Sequence, residues 1–416
     1  MPAQRIVLLT GNPLSTNPRV IKEAAALTKE GYEVRVLGAW STEQGVEADK
    51  NLAAQCECTF VPLLPPDTSG GKLHRLVQSA ARKSAPWSRW SFGLMPCALA
   101  RAARRFEPQL AIAHSEAALF AALALHRRGC KVGVDMEDWF SEDLPPEARR
   151  GRPVVLLRRA ERDLLRCASH ATCTTEAMAD ALVRAYGCPR PERIYNVFPS
   201  PVLPQQLELR DRSSASKSLN GTSSRGRAVR SIHWFSQTIG PGRGLEDLFG
   251  AAESLPDEWE IHLRGTAGRY EEWLASVIPA PVRHKVFVHA PVPAAELAER
   301  IAEHDIGFAG ETASIRSRDL TATNKMFQYL QSGLAVLASE TAGQREVAAS
   351  AGSAVHLFRA DDTEDLATKL GELTHNTALL REGRERARFA AQELCWEKEQ
   401  QRFLKLVHRA LPASAA

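Results

Sequence analysis

Absences narrow the reading of this 416-residue chain first. No basic run followed by an apolar core opens it, so no signal peptide is expected and the N-terminus passes straight into a strand pattern near Ile6. No apolar stretch is long enough to cross a bilayer. The most apolar helix pattern, Ala117 to Leu125, is short and is flanked by Glu116 and His126. The net charge of +4 is too small to argue for a nucleic-acid partner. The eight cysteines, at 56, 58, 97, 130, 167, 173, 188 and 395, show neither paired metal spacing nor the framework of a small secreted domain, so reduced thiols in a cytoplasmic protein are expected. No short-period repeat is present. The stretch Thr68 to Phe106 contains no Asp or Glu.

What is there can bury two cores: 44% of residues are hydrophobic and 25% charged. Strand patterns alternate with helix patterns throughout, which predicts an α/β fold of parallel sheets covered on both faces. Strands are expected near Ile6–Leu9, Glu33–Leu37, Leu110–Ala113, Lys131–Val134 and Ala171–Thr174, then near Ser231–Phe235, Glu260–Arg264, Val286–His289, Ile306–Ala309 and Ala335–Ala338. Between the two sets lie Pro199, Pro201 and Pro204 and then Arg212 to Arg227, which has almost nothing to bury and reads as linker or surface loop. The expected organisation is therefore a Rossmann-like, doubly wound domain at 1–204, a linker at 205–228, a second such domain at 229–390 and a C-terminal helix at 391–416. A ligand is expected in the cleft between the strand C-termini of the two domains.

Three segments carry chemistry. In Thr323 to Ser339, TNKMFQYLQSGLAVLAS, Asn324 and Gln328 share a polar helix face with Lys325 beside them, Phe327 and Leu330 point to a core, and Gly333 turns the chain into a buried strand. In Ser231 to Ala252, SIHWFSQTIGPGRGLEDLFGAA, a strand enters a loop with glycines at 240, 242 and 244 before a helix near Leu245. Such a loop lets backbone N–H groups approach an anion, and Arg243 could hold two phosphate oxygens with its planar fork. The loop fits neither the dinucleotide fingerprint nor the P-loop. In Arg5 to Trp40, a strand, a glycine turn, a helix capped by Asn17 with Pro18 in its first turn, and a strand after Gly31 form a βαβ unit.

In order and separation these segments resemble family 4 glycosyltransferases of the GT-B fold, from the first strand to about residue 390. The resemblance implies transfer of a sugar from a nucleotide-diphosphate donor to a hydroxyl acceptor, a saccharide or lipid-linked saccharide, with retention of configuration; no cofactor is expected, and no metal, since no histidine or cysteine pair marks a cation site. It implies an acceptor domain first and a donor domain second, with the final helix crossing back to the first; packing on its own domain stays open. Gly11 and Asn12 would approach the donor from the first domain, Arg243 with Arg264 or Lys325 would neutralise the diphosphate, and Asn324 and Gln328 would line the nucleotide or sugar. Glu311 would stand near the donor sugar, and His114 would face the cleft from a strand end. Glu137, in the cluster Asp135 to Asp138, occupies the slot where the family often has a histidine.

Other readings stay open for several of these residues. Arg264 could be a surface ion-pair partner, Glu311 a solvated carboxylate, and His114 a structural histidine. The family's paired glutamates, counted back from Gly333, fall on Leu320 and Gln328, so Asp319 or Glu311 is left to replace the first carboxylate. Two rivals share the fold: a sugar-nucleotide epimerase and a noncatalytic sugar-nucleotide-binding subunit. The acid-free stretch has eight Lys and Arg, namely Lys72, Arg75, Arg82, Lys83, Arg89, Arg101, Arg104 and Arg105, interleaved with Trp87, Trp90 and Phe92. It reads either as a peripheral membrane contact or as a solvated basic face beside buried aromatics.

Overall fold

The computed structural model describes residues 3–200 and 230–412; the expected linker at 205–228 lies outside the described residues. The chain divides into two compact units, Met1–Tyr195 with Glu399–Ala416, and Asn196–Lys398.

The first unit is built on seven strands: β1 (Arg5–Leu9), β2 (Glu33–Ala39), β3 (Thr59–Leu63), β4 (Leu110–Ala113), β5 (Lys131–Met136), β6 (His170–Cys173) and β7 (Glu192–Arg193). They are all parallel in the order β3-β2-β1-β4-β5-β6-β7, so the winding reverses between β1 and β4. The Pro18–Lys29 helix starts where its sequence says it should, with the Asn17 side chain accepting from Val20 N and Pro18 supplying a first-turn residue that needs no N–H donor. The last helix, Trp396–Ala410, adds residues from Glu399 onward to this unit. Glu399 accepts from Arg193 Nη1 at 3.0 Å and from Tyr195 N at 3.1 Å, and Phe403 meets the His170 ring edge-on at 5.5 Å.

The second unit has six strands: β8 (Arg230–Thr238), β9 (Trp259–Thr266), β10 (Val286–His289), β11 (Ile306–Ala309), β12 (Ala335–Ser339) and β13 (Val355–Phe358). Their order is β10-β9-β8-β11-β12-β13, again all parallel, with the reversal between β8 and β11. Its core centres on Trp234, Trp259, Phe249, Phe308 and Phe358. One contact fixes the Asn324–Gln331 helix on the sheet. Tyr329 lies over Gly307, where a Cβ would come within 2.1 Å of the ring, and its hydroxyl faces the carbonyls of His233 at 2.9 Å and Phe308 at 3.2 Å. The helix that carries Asn324, Lys325 and Gln328 is thereby held in one register against β8 and β11.

Candidate functional site

In open parallel sheets, ligands bind outside the strand C-termini where the winding reverses. In the second unit the loops after β8 and β11 meet at that place. Gly244 has φ +69°, and a Cβ there would come 3.0 Å from Gly310 Cα, so close approach of the two loops demands glycine. Arg243 is half-buried between the two left-handed glycines 242 and 244, with Nη1 3.3 Å from Ser236 Oγ. Arg318 braces the loop by donating to the Gly242 carbonyl at 2.5 Å.

Lys325 sits in the first turn of the Asn324–Gln331 helix and is only 4% exposed. Its Nζ lies 3.4 Å from Glu311 Oε1 and 5.5 Å from the centre of the Trp234 ring. Burial pushes this ammonium down to about 8 against the pull of Glu311, and the nearby charges of Arg243 and Arg318 push the same way. Arg243, Glu311 and Lys325 are thus brought together. Asn324 and Gln328 are half-buried on the same helix, whose N-terminus has no side-chain cap from Thr323. Glu311 is not a solvated carboxylate, since its side chain is buried against Lys325 and its N–H donates to Ser339 Oγ at 2.7 Å. Asp319 Oδ1 accepts from Ala342 N at 3.0 Å, at the start of the Ala342–Ala351 helix. Leu320 is buried.

Arg264 corrects one expectation. It is buried rather than a surface ion-pair partner, and among the described residues it forms no ion pair; Nη1 donates to the Ala290 carbonyl at 3.1 Å while Nε has no partner. Burial pulls its pKa below the ordinary value, as it does for a bank of histidines nearby. His262 Nδ1 is 2.8 Å from His289 Nε2, and His233 stacks on His304 at 4.5 Å.

The first unit places a second cluster at its own reversal point. His114, at the end of β4, has Nδ1 3.1 Å from Glu137 Oε1 and Nε2 3.1 Å from Glu23 Oε2, with Asp135 Oδ2 at 3.7 Å. The Arg19 guanidinium pairs with Asp135 and lies 3.5 Å from Glu23, while its Nη1 donates to the Ile194 carbonyl at 2.7 Å. Burial alone would push His114 down, but Glu23, Glu137 and Asp135 lift it well above the ordinary histidine value, which favours the imidazolium. Burial drives Glu23 up to about 7 against the pull of His114, whereas Arg19 and His114 hold Asp135 below the ordinary carboxylate range despite its burial.

His114, expected to face the cleft from a strand end, is 2% exposed and enclosed by Glu23, Asp135 and Glu137. Glu137 is the member of the cluster that reaches solvent, oriented by His114 and by Asn17 Nδ2, which donates to the same oxygen at 2.9 Å. Glu23, His114 and Asp135 offer ligand atoms within 4.8 Å of one another, close enough for a metal ion, and the Arg19 guanidinium lies beside Asp135 and Glu23 as a counter-cation. At the turn after β1, the Gly11 N–H is committed to Ser115 Oγ at 2.7 Å, and a Cβ on Gly11 would lie 3.0 Å from the same oxygen. Asn12 is exposed beside it.

Sequence reasoning missed Arg19, Glu23 and Arg318. A signal for the first two existed: they fall on the buried stripe of Val20, Ala24 and Leu27, where a charged pair four residues apart has to find partners inside. Arg318 acquires its place only through tertiary contact with residue 242.

Residues 16–196 match the family described as glycosyl transferase 4-like domain. No curated protein matches the chain. Among solved structures it is similar to sucrose-phosphate synthase from Thermosynechococcus elongatus, with a TM-score of 0.71 at 14% identity over 99% of this chain and 100% of that one. It is likewise similar to Anabaena HepE in complex with UDP and glucose (0.70, 16%, 97% and 99%). A glycosyltransferase from Rickettsia africae also aligns (0.66, 12%, 100% and 100%). The chain has the GT-B fold, and its residues 16–196 match a glycosyl transferase 4-like domain.

Proposed function

We propose that the second unit binds a nucleoside-diphosphate sugar at the β8–β11 reversal and that the sugar passes to a hydroxyl of a saccharide or lipid-linked saccharide, with retention of configuration. The observation that carries this reading is Lys325, a buried ammonium at the uncapped start of a helix with Arg243 and Arg318 beside it. Three cations with one internal carboxylate, Glu311, leave positive charge to be offset, and a diphosphate supplies the complement. The Anabaena HepE structures, which hold UDP or UDP-glucose, support the choice of ligand class.

In this reading Arg243 grips the diphosphate more strongly as charge moves onto it, and Lys325 supplies a second cation. Asn324 and Gln328 line the nucleotide or sugar, Gln328 accepting or donating a neutral hydrogen bond where the family uses a carboxylate. Arg264 is a reserve cation one strand away, with an unpartnered Nε. In the first unit Glu137, oriented by His114 and Asn17, faces the acceptor hydroxyl, and Asn12 borders the same turn. His114 is a positioning residue. Glycolipid or polysaccharide synthesis in the cytoplasm fits these parts.

The test is a thermal-shift screen of nucleotide sugars followed by turnover with mixed acceptors. A true donor raises the melting temperature with concentration by ligand linkage, and product forms only when an acceptor is added. Conversion of the donor alone would favour the epimerase reading, and binding without any turnover would favour the noncatalytic one.

A further inference from the structure

We propose that the face formed by the Ser69–Ser84 helix and the Arg89–Phe92 turn of the first unit docks on an anionic lipid bilayer. The alternative, a solvated basic face beside buried aromatics, fails on exposure. Trp87 is 64% and Trp90 41% exposed, and on the helix Leu73 is 50% and Leu76 67% exposed. Of the three aromatics between Trp87 and Phe92, Phe92 turns inward, its ring 5.5 Å from that of Phe120. Lys72, Arg75, Arg82, Lys83 and Arg89 are exposed around these apolar side chains. At about 100° per residue, Lys72, Leu76 and Lys83 fall within about 40° of one another on the helix, so a leucine crest carries a long cation on each side.

The display is rigidly built. Gly93 has φ +59°, a Cβ there would come 2.3 Å from His74 Nδ1, and Leu94 N donates to that same nitrogen at 2.9 Å, so the turn is clamped to the helix. A shallow depression lined by Arg75, Gln78, Ser79, Arg82 and Lys83 offers cations and polar groups with no acid among them. Charge selects the partner's sign: with no Asp or Glu from Thr68 to Phe106, nothing in the segment offsets attraction to anionic headgroups. The apolar side chains select its kind. Tryptophan seats at the headgroup level and leucine inserts below it, whereas a nucleic acid has no use for an exposed leucine pair. Among the described residues no helix is long and apolar enough to cross a membrane, so docking would be peripheral.

This proposal is independent of the donor site. The full-length protein is sedimented with phosphatidylcholine vesicles and with vesicles that also contain phosphatidylglycerol, at low and high salt, with single-stranded DNA and polyglutamate as rival ligands. Binding should be at least about tenfold stronger to the anionic vesicles and should weaken with salt. Lys72→Glu with Lys83→Glu should lower it at least about tenfold, and Leu76→Ser with Trp87→Ser should lower it without a change in melting temperature, since all four side chains are exposed. Equal binding to both vesicles, binding to neither, indifference to the Leu76→Ser and Trp87→Ser pair, or tighter binding to DNA or polyglutamate would each overturn the proposal.

Discussion

Lys325 ties donor binding to pH in a way that can be measured. The fall of its pKa from the ordinary 10.5 to about 8 corresponds to roughly 3 kcal/mol against holding the proton in the folded protein. The unfolded chain keeps this proton up to 10.5 and the folded chain releases it near 8, so the penalty is full below pH 8 and fades between 8 and 10.5. A diphosphate placed beside Nζ reverses the shift and draws the proton back. At pH 8 about half the free protein lacks it, so binding of UDP, taken as the probe, should consume about half a proton; at pH 7 the figure is about one tenth and at pH 9 about nine tenths. Affinity should be flat below pH 7 and fall about tenfold per unit well above pH 8. Titration calorimetry in two buffers of different ionisation enthalpy reads the uptake directly. Lys325→Arg, which holds its proton throughout this range, should bind UDP with no uptake. Zero uptake at pH 8 in the native protein, or unchanged uptake in Lys325→Arg, would refute the placement of the diphosphate beside this lysine.

Arg243→Ala should lower kcat/KM by about a hundredfold or more with the melting temperature unchanged, because the residue sits on a loop outside the core, and Arg243→Lys should recover only part; steady-state kinetics beside melts would expose an error as near-normal catalysis in a folded alanine variant. Gly307→Ala forces a Cβ to within 2.1 Å of the Tyr329 ring, so the second unit should lose about 1–3 kcal/mol and UDP should bind more weakly as the helix shifts; a melt and a UDP titration that both match the native protein would count against the lock. His170 is buried beside Phe403 with its pKa lowered by burial from 6.5 to about 4, so its unfolded form takes up a proton first as pH falls. Stability is then full above pH 6.5 and declines from there down to about 4, by about 2 kcal/mol at pH 5, and urea unfolding of His170→Leu should lack that part of the acid slope.

The sheets were legible because buried parallel strands read as short apolar runs; ten of them could be placed from sequence, among them Ala335–Ser339, which is buried end to end. The strands that escaped notice lie at sheet edges and break that pattern: Thr59–Leu63 contains Pro62, Glu192–Arg193 is two residues long, and Val355–Phe358 is only half-buried with His356 in its middle. The cap at Asn17 was readable because capping is local. Tertiary partners were not. His114 and Glu137 could each be named, yet that the histidine orients the carboxylate from inside depends on Glu23 and Arg19 arriving from another helix. For Arg264 a diphosphate contact and a surface ion pair stood side by side, and only its burial, with Nη1 on the Ala290 carbonyl, argues against the second.

The closing helix has a consequence for synthesis. Residues 196–398 are made after the first unit's main body and before Glu399, whose carboxylate holds Arg193 and the Tyr195 backbone. At about 5–20 residues per second a ribosome needs roughly 10–40 s to cover that interval. For that time the nascent first unit stands without Phe403 against His170 and with Arg193 lacking its buried acid. The earliest-made part of the protein is thus the last to be completed, and a C-terminal truncation would injure the N-terminal domain.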